Sequence, residues 1–330
     1  MAAKSHRALK ITGIVIGVIV GIALIAVVAL NIYMRAAFAP FFDRAESPFD
    51  IPGINTGFVP QDLDHVEADD SWLFSGYMAD HSPSPIYRRA ADGTITKFYV
   101  SLPDGSPYDG HGSAITTNEQ YAYLACEEGY LVIPMDDLLF AEDGASVQAT
   151  EKVDVDFSPA FMNIEQGQLL LGNFYYPNDY ETPENHHITT PDGTENPAVM
   201  YAFAADPAEP GRFLTVPDNV FSIPGMVQGT CITDDGRIVL SVSYGIAPSH
   251  LLAYNVNLAA PDGTFTTGSG DEVELFCLDS RNLTEDLVGP PMQEGIESHD
   301  GRVYTTDESA SNKYIFGKLC GAGRVYAVQL

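Results

Sequence analysis

Four polar residues stand at the start of similar segments of the chain: Gln61, His111, Gln228 and Glu294. An amide pair, an imidazole and a carboxylate gathered on one ring would bind a cation or a small polar ligand, because each offers lone pairs. Glu294 and His111 are the first candidates for metal ligation or an acid–base role. A hard ion such as Ca2+ would want several oxygens, and Asp62, Asp109 and Asp307 lie near enough in sequence to contribute. The same side chains would equally serve to satisfy backbone groups where strands begin.

A second cluster occupies residues 175–187, where Asp179, Glu181, Glu184, His186 and His187 are interleaved with three tyrosines. Acid with imidazole suits a metal, and aromatic with amide suits a sugar. Adjacent histidines, however, do not easily share one ion, and an acidic loop is ordinarily just solvated. Nucleophilic catalysis has no comparable support: there is no G-x-S-x-G elbow, P-loop, H-E-x-x-H or C-x-x-C. The four cysteines, at 126, 231, 277 and 320, are too few for a disulfide scaffold. Cys126 and Cys231 read as buried thiols, and Cys277 with Cys320 as a candidate bridge between repeats.

The elements that would position these residues are short alternating apolar strands broken by turns such as Gln166-Gly167, Asp92-Gly93 and Asp300-Gly301. Units begin near 60, 111, 160, 228 and 294, with Phe161 at the third start. Repeated four-stranded units of this size predict an all-β β-propeller of five or six blades, with residues 58–330 as the domain. A sixth blade would have to lie within 177–224 or 257–290. A strand over 324–330 suits a ring closed by both ends of the chain, and a β-sandwich is the rival architecture.

Ahead of the repeats, a run of 24 residues bounded by Ile11 and Met34 carries no charge. At 1.5 Å per residue it spans a hydrocarbon core of ~30 Å, so it predicts a transmembrane signal-anchor helix in contact with the lipid bilayer. Lys4, Arg7 and Lys10 place the tail 1–10 in the cytoplasm and the C-terminal domain outside, held on a stalk at 35–57. A cleaved signal peptide ending near Ala39 is the alternative. Once the four basic residues of 1–35 are set aside, 12 basic face 45 acidic side chains, a net charge of −33 over 36–330. That excludes nucleic acid as a partner. It leaves open a solvated surface, divalent-cation binding or life at high salt.

Pro60-Gln61, Ser75-Gly76-Tyr77, His111-Gly112-Ser113, Gln228-Gly229, Ser241 to Tyr244, Pro291 to Gly295 and Glu308-Ser309-Ala310 with Lys313-Tyr314 give the chain a further likeness. It resembles a family of uncharacterised bacterial membrane-anchored β-propellers, distantly similar to the six-bladed strictosidine synthase and paraoxonase-type propellers. The resemblance implies a propeller ring with carboxylate and amide residues at blade starts around a central channel. The leading expectation is a tethered binding or scaffolding module for an extracellular ligand or protein; the alternative, which the resemblance brings in, is a metal-assisted lactonase- or esterase-like hydrolase with a cation in the central channel.

Overall fold

The computed structural model describes residues 2–314 and 316–330, with side chains from Lys10 onward. Lys4 and Arg7 therefore lie outside the described side chains. Five antiparallel blades form a ring. Blade one comprises Phe58–Val66, Ser71–Met78, Pro85–Arg89 and Ile95–Ser101. Blade two comprises Ile115–Thr117, Tyr121–Cys126, Gly129–Pro134 and Glu151–Asp154. Blade three comprises Phe161–Glu165, Gln168–Gly172, Ala198–Ala204 and Asn219–Ile223, and blade four Val227–Ile232, Ile238–Val242, Ser249–Tyr254 and Leu283–Gly289. Blade five takes Gln293–His299, Arg302–Asp307 and Arg324–Val328 from late in the chain and Ala45–Asp50 from near its start. The first-named strand of each blade is innermost and packs against the innermost strands of both neighbours.

The strand runs are apolar without strict alternation because each blade is covered on both faces. Leu169 and Leu171 enter the core between blades two and three, while Leu170 between them faces the core shared with blade four. Val199, Tyr201 and Phe203 alternate with Met200 and Ala202 in the same way. Five such apolar wedges, one between each pair of adjacent blades, hold the ring. Each fully buried Leu or Phe side chain contributes roughly 1.5–3 kcal/mol.

Turn chemistry sets the registers. Gln166-Gly167 and Asp300-Gly301 each place both residues at positive φ, the type I′ geometry, and Glu165 then pairs with Gln168 and His299 with Arg302.

Among the described residues the sheets make five blades and not six. The interval 177–224 holds a loop, a two-residue hairpin and the outer strands of blade three. In 257–290, Gly263–Thr266 and Glu272–Cys277 extend blade three's sheet through a parallel pairing with Asn219–Ile223, and Leu283–Gly289 edges blade four. The expected stalk is also corrected. Ala45–Asp50 is paired with Arg324–Val328, Phe38 and Phe41 are buried in the wedge between blades four and five, and Ile51 and Ile54 in the next wedge. Phenylalanines and isoleucines at that spacing are core, not tether. All four cysteines are free thiols, so Cys277 and Cys320 form no bridge.

The helix Ala2–Ala37 contains a stretch, Lys10–Ala37, that is long and apolar enough to cross a membrane, with a mean hydropathy of 3.1 over its most apolar 18 residues.

Candidate functional site

An innermost strand has a neighbour in its own sheet on one side only, so its other edge faces the channel with unpaired backbone groups. Polar side chains fill that edge. Asp62 accepts hydrogen bonds from the backbone N–H of Leu63 and, across to blade two, of Ile115, both at 2.9 Å. Thr116 Oγ1 accepts from Ile164 N–H in blade three (2.9 Å), and Glu165 from Ile232 N–H in blade four (2.8 Å). Asn163 donates to the Thr230 carbonyl (3.0 Å) and to the Glu297 carboxylate (2.7 Å).

Three of the residues singled out in the sequence lie at β-bulges in innermost strands. The register shifts between Pro60 and Asp62, between Val227 and Gly229, and between Gln293 and Ile296, so Gln61, Gln228 and Glu294 fall outside regular pairing. A bulge turns its side chain out of the pleat. Glycine beside two of these positions lets the strands approach: a Cβ at Gly295 would stand 1.6 Å from Asp62 Oδ1, and one at Gly229 2.8 Å from Ile296 N.

At this mouth His111 Nε2 lies 2.6 Å from Gln61 Oε1, and the Tyr77 ring stacks on the imidazole at 4.4 Å. Gln61 Nε2 donates to Glu308 at 3.3 Å, and Glu308 faces Glu294 closely enough to help hold its carboxyl above the usual range. The Lys313 ammonium sits 4.8 Å from the centre of the Tyr77 ring and donates to its hydroxyl. Thus Gln61, His111 and Glu294 belong to one connected cluster. Gln228 occupies the equivalent bulge in blade four but makes no side-chain hydrogen bond among the described residues, and Phe161 is buried in the apolar wedge between blades three and four.

Charge in this channel is unbalanced. Burial pushes Glu294 and Asp62 far up from the usual carboxylate range, and the neighbouring carboxylates add to it. Burial raises Glu308 to about 7, against the pull of Lys313 and Gln61, and Asp307 to about 6. Further along the channel, burial raises Asp64 and Glu165 to about 7 and pushes Glu297 up as well. Burial also lowers His111 to about 4, helped by Lys313, so its imidazole is neutral at pH 7. Neutral imidazole, amide and partly protonated carboxyls form a network rich in hydrogen-bonding groups, with Lys313 the one nearby cation.

A metal at the mouth finds a poor donor set. Both Asp62 oxygens are engaged by backbone N–H groups, and Gln61 Oε1 is engaged by His111. Among the described residues, the one trio of His, Cys, Asp or Glu ligand atoms lying within 4.8 Å of one another is elsewhere and includes neither Glu294 nor His111.

The loop 308–323, which carries Glu308 and Lys313, also meets the apolar helix: Asn31 Nδ2 donates to the Leu319 carbonyl at 2.7 Å. The mouth and the end of the helix therefore share one loop. Glu308, Lys313 and Tyr77 were quoted in sequence motifs without being read as one site; their meeting depends on this loop folding over the ring.

The 175–187 cluster divides. His186 is buried and bonded through Nδ1 to Asn173 (2.8 Å), whereas His187 turns to Thr182 and Glu195. Tyr176 and Tyr180 pack on Tyr244, whose hydroxyl donates to Asp179 (3.2 Å).

With five blades around an acidic channel established, solved structures offer a comparison. A protein of Thermus thermophilus described as a glucose dehydrogenase aligns over 86% of this chain and 99% of its own, at 12% identity and a TM-score of 0.46. The aldose sugar dehydrogenase of Streptomyces coelicolor, solved with PQQ, covers 86% and 97% at 12% identity and 0.43. A gluconolactonase of Xanthomonas campestris covers 87% and 89% at 10% identity and 0.40. The likeness is one of fold. No family model and no curated protein matches the chain. The propeller itself is read from this chain's own strand order.

Proposed function

We propose that the chain is a membrane-tethered propeller that binds a small, polar, positively charged ligand at the channel mouth, on the extracellular side. The observation that carries this reading is the connected cluster of Gln61, Tyr77, His111, Glu294 and Glu308. There, buried carboxyls exceed the single ammonium of Lys313. An organic cation would relieve that imbalance, and the Tyr77 ring offers a face for it. The basic flank ahead of the helix supports an N-terminus in the cytoplasm.

A metal-assisted hydrolase would need an ion held by Glu294 and His111, whose neighbours are already committed to hydrogen bonds; no step is routed through such an ion. The full-length protein in detergent, melted with putrescine, choline or CaCl2, tests the proposal. Organic cations should raise Tm, and Glu294→Gln should abolish the rise. A shift with Ca2+ alone, accompanied by hydrolysis of phenyl acetate or a simple lactone, would overturn it in favour of the hydrolase.

A further inference from the structure

We infer that His65, Asp70 and His299 form a binding site for one divalent transition-metal ion of the Zn2+ class, at the end of the ring opposite Gln61 and Glu294. His65 lies one residue from the end of blade one's innermost strand, and His299 ends that of blade five just before the Asp300-Gly301 turn. These two blades meet where the ring closes. Their ligand atoms and that of Asp70 fall within 4.8 Å of one another. His65 Nε2 is 3.0 Å from Asp70 Oδ1, and His299 Nε2 is 3.5 Å from Asp300 Oδ2.

The chemistry of this donor set selects the ion. Two imidazole nitrogens and a carboxylate oxygen suit Zn2+, Co2+ or Cu2+ rather than Ca2+, which prefers oxygen alone. Two nitrogens sharing a tetrahedral Zn2+ at ~2.05 Å stand about 3.4 Å apart. The His65 and His299 rings lie face against face, with centroids 3.7 Å apart and planes tilted by 35°; each nitrogen lone pair lies in its ring plane, so the rings pivot apart when both point at one ion. They make no hydrogen bond to each other. His65 Nε2 and Asp70 Oδ1 share a hydrogen bond at 3.0 Å, and an ion would take the place of the shared proton.

The surroundings hold the rings in place. Trp72 stands edge-on to His299 at 5.7 Å and lies 5.1 Å from His65, and it also stacks on Tyr304 at 4.5 Å and meets Phe49 at 5.6 Å. His65 is 6% exposed and Asp70 73%, so one side of the site is packed and the other open to water, which would complete the coordination. A bound ion would cross-link blades one and five at the closure of the ring.

Trp72 is the single tryptophan of the chain and is therefore a built-in reporter. Full-length protein in detergent, stripped with chelator and titrated with Co2+, should show saturable quenching of tryptophan fluorescence at one equivalent. A visible ligand-field band should accompany it, and Zn2+ should displace both and raise Tm. Asp70→Asn, at an exposed position that leaves the fold intact, should weaken binding about 10–100-fold. His299→Asn should do at least as much, whereas the Co2+ titration of His250→Asn, in the third strand of blade four, should match that of the parent. The proposal falls if quenching does not saturate, if Ca2+ competes as well as Zn2+, or if Asp70→Asn and His299→Asn bind like the parent. A ligand bound at Glu294 would leave the tryptophan quenching and the ligand-field band untouched, so the two sites stand or fall separately.

Discussion

The Nε2 of His111 lies 2.6 Å from the Oε1 of Gln61, although the two belong to different blades and are 50 positions apart in the chain. Because burial keeps His111 neutral, Nε2–H donates to the amide oxygen, which frees the Gln61 NH2 group for Glu308. His111→Phe should preserve the stack on Tyr77 and break this relay. We expect the cation-induced rise in Tm to be lost with a change in intrinsic stability of about 1 kcal/mol, measurable by urea unfolding.

Glu294→Gln should stabilise the protein at alkaline pH. The substitution keeps the shape but removes a buried acid faced by Glu308, Asp307 and Asp62. At pH 8 Tm should rise by several degrees, about 1–2 kcal/mol. As pH falls toward the ordinary carboxylate range the difference should shrink, because keeping the buried acid protonated then costs less. A variant less stable than the parent at pH 8 would refute the account of the channel charge.

Acid should strengthen this fold over a window where carboxylates usually begin to weaken one. Asp64, Glu165 and Glu308 titrate near 7 and Asp307 near 6 when folded, against ordinary values near 4. The folded state then binds more protons than the unfolded one between about pH 4 and 7, and stability is lost as pH rises through that range. His111 and His186, both lowered to about 4, act in the opposite sense, losing stability as pH falls below about 6.5. Four carboxyls outweigh two imidazoles. Melts from pH 4.5 to 8 should show Tm highest on the acidic side, and Glu165→Gln should flatten the profile.

Gly295→Ala tests how closely the innermost strands approach. Its Cβ would overlap Asp62, whose two oxygens cap backbone N–H groups of blades one and two. A loss of about 2–4 kcal/mol is expected, with partial recovery in the double variant with Asp62→Ala. Independent, additive losses would show that the two sites do not touch.

Phe41→Ala should loosen the junction of helix and ring. Phe41 is fully buried and meets Phe42 and Tyr326 edge-on at 5.5 and 5.6 Å. Its truncation should cost about 3–5 kcal/mol and open residues 38–44 to limited proteolysis, which the parent should resist.

Much of this arrangement is legible before any coordinates. The five starts near Gln61, His111, Phe161, Gln228 and Glu294 mark the innermost strands, and at three of them, Gln61, Gln228 and Glu294, a bulge sets a polar side chain in the same place. Gln166-Gly167 and Asp300-Gly301 announce their turns. The segment 35–57 misleads, since Pro48 and Pro52 resemble linker residues while Phe41, Ile51 and Ile54 bury themselves against strands from the far end of the chain. Nothing local signals a partner so distant. The acids Asp64, Glu165 and Glu297 likewise pass for surface charge, because their purpose is to line a channel edge that exists only once the ring closes. The pairing of His65 with His299 depends on that same closure.

The outer strand of blade five has a consequence for biogenesis. Ala45–Asp50 leaves the ribosome before every other strand of the ring, yet its partner Arg324–Val328 is synthesised after every other blade. Throughout that interval the early strand is an orphan edge, and so long a sequence separation slows its pairing. Its sequence is suited to waiting: Pro48 interrupts it at a register shift, and Glu46 and Asp50 charge it, features that discourage pairing with other chains. Ring closure is therefore the last event of folding. Any delay there would expose four finished blades with one unfilled seam to the quality-control machinery of the cell.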